Sequence, residues 1–349
     1  MPRWRNKVDA SDLGSDGFQA RAGSSPALGT KISMKYTKLG RSDLMVSRLC
    51  IGCWQAGKFG WGDVKDDQII SGIQKAQELG INFIDTADIY GFGYSETLIG
   101  KAVKGKRTQF VIATKVGLSW PREKPNPTQT DIKRDLSPKY VKKAVEESLK
   151  RLGTDYIDLY QAHWPDPKIK LEDLAEVMEK ICEEGKSRWW GISNFSLEEA
   201  KKLIQFRCKF FTSNQLPFNL LEREIEKDIP EYKERKIGIL AYSPLGMGIL
   251  TGKYKEPPEF NGFDWRQNYE FFREEKFYKV KRAIEQTEHI AKEKNAKFSQ
   301  IAIAYILKKD IDVVIFGFKN ADQVEENAKS VYIDLSEEEI KELESAFSF

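Results

Sequence analysis

The chain has 349 residues, 40% of them hydrophobic and 31% charged, and its 56 Lys+Arg against 53 Asp+Glu leave a formal net charge of +3. This composition is ordinary for a globular protein with ample core material. The near-balanced charge argues against electrostatic binding to nucleic acid or to an anionic membrane, and no stretch is long and apolar enough to span a bilayer.

Residues 1–33 are rich in Gly, Ser and charge and carry no periodicity, which predicts disorder. Arg3, Arg5 and Arg21 suit a transit peptide, whereas Asp9, Asp12 and Asp16 do not, and the apolar core of a signal peptide is missing. Met34 opens a well-patterned segment, so residues 34–349 are expected to form one domain.

From there a short apolar run is followed by an amphipathic helix, again and again. Strands are predicted over Arg48–Cys53, Asn82–Ala87, Phe110–Val116, Tyr156–His163, Ser187–Ser193, Phe211–Gln215, Ile237–Tyr242 and Val313–Gly317. They are apolar on both faces, as in a parallel sheet covered on both sides. Helices are predicted over Asp67–Leu79, Ser95–Val103, Pro138–Leu152, Leu171–Glu184, Glu222–Arg235, Glu274–Lys294, Ser299–Lys308 and Asp322–Ser330. Two more begin at the capping boxes Ser196…Glu199 and Ser336…Glu339. The Pro138 helix carries Val141, Ala144, Val145, Ser148, Leu149 and Leu152 on one stripe, behind a Ser137 N-cap. Eight such strands alternating with helices fit a single-domain α/β fold, the closed (β/α)8 TIM barrel. A doubly wound open sheet is the alternative, weakened because no G-x-G-x-x-G follows a strand. The P-loop motif is absent too. Two stretches break the rhythm, Leu118–Asp135 and Lys255–Asn268; following strands, they belong at the catalytic mouth of a barrel.

The cysteines Cys50, Cys53, Cys182 and Cys208 look like scattered core positions, which suits a reducing, cytoplasmic setting. The Cys50–Cys53 pair has CxxC spacing but lies inside an apolar strand. With only His163 and His289 elsewhere, no metal site is expected.

Barrel chemistry sits where strands end. The second, third and fourth strands end near Asp85 and Tyr90, Lys115 and His163. Singly, each has a bland reading as an ion pair or packing residue. Together they suit proton transfer to a carbonyl oxygen. A free phenol has a pKa of about 10, and a neighbouring ammonium is expected to lower it. Asp85 would orient Lys115, and neutral His163 would position the substrate oxygen.

The order and content of several motifs add a resemblance: GINFIDTADIYGFGYSE at 80–96, IATK at 112–115, YIDLYQAHWPD at 156–166, WGISNFS at 190–196, AYSPLGMGILTGKY at 241–254 and FGFKNADQVEEN at 316–327. From about Lys35 onward the chain resembles the aldo-keto reductase superfamily. It is most similar in tone to the bacterial inositol-dehydrogenase-like and general-stress reductases and to the potassium-channel β subunits. The resemblance implies the catalytic tetrad Asp85, Tyr90, Lys115 and His163, with Tyr90 as the acid. It assigns the nicotinamide end to Trp54, Asp85, Ser193, Asn194, Gln215 and Tyr242, and the pyrophosphate to Ser243, Leu245, Gly248 and Lys253. The adenosine end falls to Gly317, Lys319, Gln323, Glu326 and Asn327. Trp54, Tyr90, Trp120 and Trp164 would line an aromatic substrate pocket. Family members often have Pro where this chain has Phe316. Many NADPH-preferring members place Arg near Asn320 or Gln323, where only Lys319 offers a cation here. NADPH is the expected cofactor, with NADH as the alternative, and a small carbonyl compound is the expected partner. A polyol or sugar dehydrogenase, an NADPH-binding regulatory subunit and an unrelated barrel enzyme are the competing readings.

Overall fold

A computed structural model describes residues 33–62, 64–260 and 262–349 of the chain. The expectation of disorder over 1–33 therefore lies, apart from Ser33, outside the described residues. Eight parallel strands close on themselves: β1 (Leu49–Gly52), β2 (Phe83–Asp85), β3 (Val111–Val116), β4 (Ile157–Ala162), β5 (Ser187–Ser193), β6 (Phe211–Pro217), β7 (Gly238–Tyr242) and β8 (Val313–Gly317). Each pairs with its neighbour in sequence, and β8 returns to β1 through Val314–Leu49 to Gly317–Gly52. This is the expected (β/α)8 barrel in one domain.

Helices α1 (Asp66–Glu78), α2 (Tyr94–Ala102), α3 (Pro138–Leu152), α4 (Leu171–Glu183), α5 (Leu197–Gln205), α6 (Ile229–Glu234), α7 (Glu274–Glu293), α8 (Phe298–Leu307), α9 (Ala321–Ala328) and α10 (Glu337–Ala346) surround it. Local chemistry sets their ends. Ser137 Oγ accepts from Tyr140 N–H at 3.3 Å, Pro138 follows at the first helical position, and Gly153 closes α3 at φ 63°. The six-residue stripe predicted for α3 is the face it buries. Both predicted capping boxes form, at Ser196 and Ser336. One helix is shorter than predicted. Pro230 has no N–H, and the Glu222–Arg235 segment breaks into a 3-10 turn over Glu224–Asp228 and the short α6.

The N-terminal end of the barrel is sealed by an element the periodicity missed. Tyr36–Lys38 and Met45–Ser47 form an antiparallel hairpin. Its Leu39, Leu44 and Val46 are at most 1% exposed and pack on the barrel-interior residues Cys50, Phe83, Leu159, Leu240 and Val313. The turn passes so close to β6 that a Cβ on Gly40, at φ +52°, would stand 2.3 Å from Thr212 O. Two three-residue strands are too short for an alternation pattern to reveal. Trp189 and Trp190, adjacent on β5, divide as strand geometry requires. Trp189 joins the interior cluster, while Trp190, fully buried, faces the helices.

Below the site, Asp158 on β4 ties the wall together. Its carboxylate accepts from Arg107 at 2.6 Å, Arg188 at 3.0 Å and the Ile112 N–H at 3.0 Å. Both guanidiniums stay 15% exposed, so water compensates part of their loss. Asp158→Ala is expected to cost about 2–3 kcal/mol in a denaturant melt while leaving activity per folded molecule intact; a cost under about 0.5 kcal/mol would contradict this.

Candidate active site

At the C-terminal mouth four polar side chains meet. Asp85 ends β2, Lys115 lies on β3, Tyr90 stands on the turn after β2 and His163 follows β4. Lys115 is fully buried. Its Nζ donates to Asp85 Oδ2 at 2.6 Å, to Thr86 O at 2.9 Å and to Tyr90 OH at 3.3 Å. His163 stands edge-on to Tyr90, ring centroids 5.9 Å apart, and its Nδ1 is buried without a hydrogen-bond partner. The Trp54 ring lies nearly parallel to Tyr90, 5.9 Å between centroids.

The electrostatics amend one expectation. Burial raises the Tyr90 phenol above its ordinary value; Lys115 pulls it down but loses. The phenol is thus a loaded proton donor and not a poised phenolate. Burial opposes the Lys115 charge, but Asp85 and then Tyr90 outweigh it and hold the ammonium above its usual value. Burial, aided by Lys115, holds His163 well below the usual imidazole range, so its ring is neutral.

A cavity of about 960 Å3 opens from this cluster. Every position that the sequence resemblance assigns to the dinucleotide lines it, from Trp54, Asp85, Ser193, Asn194, Gln215 and Tyr242 at the tetrad to Gln323, Glu326 and Asn327 at the far end. Local backbone strain aims part of this wall. Asn194 and Ser243, both after strands, take positive φ of 64° and 54°. Asn194 is held by Tyr242 OH, which donates to its Oδ1 at 2.7 Å, while its Nδ2 donates to His163 O at 3.0 Å.

The far half is more cationic than the sequence suggested. Beside Lys319 and Lys253, both offered by the sequence, Arg266 and Lys297 line the cavity. Lys319 is held below its ordinary pKa by burial and then by Arg266 and Lys253, the mark of like charges crowded together. Arg266 is itself fixed by Asp264, donating at 2.9 Å and 2.6 Å. The α9 N-terminus contributes less than a bare helix end would. Asn320 Oδ1 accepts from the Gln323 N–H at 3.0 Å, and Gln323 Oε1 accepts from the Lys319 N–H at 2.9 Å.

The tetrad end is aromatic. Trp54, Phe59, Trp61, Trp164 and Trp265 line it with Tyr90. Trp120 does not. It is 8% exposed, stands behind Phe92 at 5.7 Å, and carries the Arg122 guanidinium on its face at 3.3 Å. It buttresses the wall instead of forming it. Trp265 arrives from the long loop after β7, its backbone N–H donating to Gly60 O at 3.2 Å, so two loops join over the cavity. Trp265 and Arg266 lay within a loop already expected at the mouth, but no spacing rule marks which of its residues turn inward. Gln161 was also missed and lies fully buried beside Asp85. Cys50 and Cys53 are buried free thiols raised in pKa by burial.

Residues 48–347 match the model of the Aldo/keto reductase family. Aldo-keto reductase YhdN of Bacillus subtilis is 37% identical over 316 residues, covering 89% of this chain and 92% of its own. The NADH-specific methylglyoxal reductase of Escherichia coli is 33% identical, covering 87% of this chain and 95% of its own. The structure of the glycerol dehydrogenase AKR11B4 from Gluconobacter oxydans superposes with a TM-score of 0.82 at 33% identity, covering 90% of this chain and 95% of that one.

Proposed function

We propose, from the premise that this chain belongs to the aldo/keto reductase family of NAD(P)H-dependent oxidoreductases, that it reduces aldehydes or ketones with NADPH and that Tyr90 donates the proton. The observation that carries this reading is the Tyr90 hydroxyl, 3.3 Å from the Lys115 Nζ and edge-on to His163 at the cavity mouth, an acid beside the cation that stabilises its conjugate base. The same pair serves alcohol oxidation in reverse, and burial of the phenol favours the protonated form that reduction uses.

The residues present fit a nicotinamide dinucleotide. Tyr242 offers a ring beside the tetrad, and Ser193, Asn194 and Gln215 offer polar atoms for a carboxamide. Lys253 and Arg266 suit a pyrophosphate, together with the backbone around Ser243, Leu245 and Gly248. Gly317, Lys319, Gln323, Glu326 and Asn327 suit the adenosine. Lys319 is the cation there that favours a 2′-phosphate; Lys297 lines the same end with its ammonium paired to Glu326. When bound, the nicotinamide would supply the hydride.

The protein's own part is positional and acidic. Neutral His163 holds the carbonyl oxygen within reach of Tyr90. Tyr90 protonates that oxygen as negative charge grows on it. Lys115 stabilises the phenolate left behind, and Asp85 keeps Lys115 in place through the 2.6 Å contact. Trp54, Trp61, Trp164 and Trp265 exclude water and favour aromatic or apolar carbonyl compounds. The four cysteines, all buried and free, suit a cytoplasmic setting.

The kinship with a glycerol dehydrogenase gives the oxidative direction as the second reading. Consumption of NADPH and of NADH with an aromatic aldehyde, run beside NADP+ with the matching alcohol, separates them. Faster turnover of NADPH and aldehyde at neutral pH is expected. Faster alcohol oxidation would overturn the direction, and faster NADH turnover the cofactor.

A further inference from the structure

Gln161 belongs neither to the tetrad nor to the dinucleotide wall, yet it is fully buried at the top of the barrel interior. Its Nε2 donates to Asp85 Oδ1 at 3.4 Å, and its Oε1 accepts from Gln215 Nε2 at 3.4 Å. Gln215 Nε2 also donates to Asp85 Oδ1, at 2.8 Å. Asp85, Gln161 and Gln215 thus close a triangle across β2, β4 and β6, the alternate strands that share one interior layer in such a barrel. Room for it comes from Gly191 on β5, where a Cβ would stand 2.5 Å from Ser213 Oγ and 3.5 Å from Gln161 Cγ.

The triangle dictates which way the amides face. The Asp85 carboxylate, paired with the Lys115 ammonium, offers only acceptors. Turning either glutamine oxygen toward it would oppose two acceptors inside the barrel and leave a donor unmade. Gln215 Nε2 carries two hydrogens, and both are used within the triangle. Its Oε1 is what remains for the cavity, which Gln215 lines. Remove Gln161, and one of those two hydrogens is released to compete for the same ligand.

We propose that Gln161 is a positioning residue that, with Asp85, locks the Gln215 amide so that it presents an acceptor alone and selects a ligand group bearing an N–H donor. On the dinucleotide reading above, on which this rests, that group is the amide nitrogen of the nicotinamide carboxamide. Gln161 itself touches neither cofactor nor substrate.

The test is a binding comparison. NADPH and its acetylpyridine analogue, in which a methyl ketone replaces the carboxamide, are titrated into the full chain by quenching of tryptophan fluorescence. Wild type is compared with Gln161→Leu and with Gln161→Met, the second keeping the length of the side chain should the first fail to fold. Wild type should prefer the carboxamide about fivefold to tenfold, the worth of one hydrogen bond. In a variant that melts cooperatively the preference should shrink to about twofold, with affinity for the analogue nearly unchanged. An unaltered preference, or an equal loss for both ligands, would overturn the positioning role while leaving the dinucleotide reading intact. Failure of wild type to bind either ligand would overturn both.

Discussion

Tyr90→Phe should lower kcat/KM for carbonyl reduction by about a hundredfold to ten-thousandfold while the affinity for NADPH stays within about twofold, read by steady-state kinetics beside fluorescence titration. The substitution removes one oxygen and keeps the ring, so the contacts to Trp54 and His163 at 5.9 Å persist and the fold should not notice. What is lost is a donor held protonated by burial. The wild-type pH profile carries the same information. Because burial raises the Tyr90 pKa, the reductive rate should fall only above about pH 10, the ordinary phenol value. Because burial and Lys115 depress the His163 pKa, its ring stays neutral as pH falls past about 6.5. The sign for stability follows. Below that pH the unfolded chain takes up a proton that folded His163 refuses, so stability declines with falling pH. A Tyr90→Phe enzyme that keeps more than about a tenth of wild-type activity would remove Tyr90 from the role of acid.

Lys115→Met should be the most damaging single change for stability, about 3–5 kcal/mol, and should cost at least about a hundredfold in kcat/KM. Lys115 is fully buried and Asp85 is 4% exposed. Removing the ammonium strands a carboxylate in the barrel with two glutamine amides for company. The double change Asp85→Asn/Lys115→Met separates the two effects. Asn can still accept from Gln161 and Gln215 but carries no charge, so most of the stability should return. Activity should not, since the phenolate form of Tyr90 has lost its neighbouring cation. If the double variant is as unstable as the single one, packing around Lys115 is the cause and the ion pair is not.

Much of this was legible because barrel strands are short, apolar on both faces and regularly spaced. Each predicted strand overlaps its counterpart, and Asp85, Tyr90, Lys115 and His163 meet at the mouth because each ends or follows one of three consecutive strands. Where periodicity is silent the reading failed. The floor hairpin has three residues per strand. The segment around Pro230 looked helical by composition, and its missing N–H broke it. The sign of the Tyr90 shift depended on weighing burial against a cation, and sequence supplies only the cation. Arg266 and Lys297 reach the cavity from a loop and from the N-cap of α8, distances along the chain that no motif connects. Gln161 is one letter inside a recognised string, and only the register of β4 against β3, with Gln161 beside Lys115, exposes it.

The hairpin floor has one more implication, for how such a protein changes over generations. The apolar layers it seals reach the cavity only at Ile315 and Tyr242, and both stand on strands and not on the loops that carry the aromatic residues of the mouth. The mouth is furnished by Trp54, Trp164 and Trp265, each on a different loop. Substitutions at Trp164 and Trp265, neither of them stacked on Tyr90, alter what enters while leaving the floor and the Tyr90–Lys115 contact in place. A library confined to those two positions therefore has a broad supply of folded variants with altered appetite.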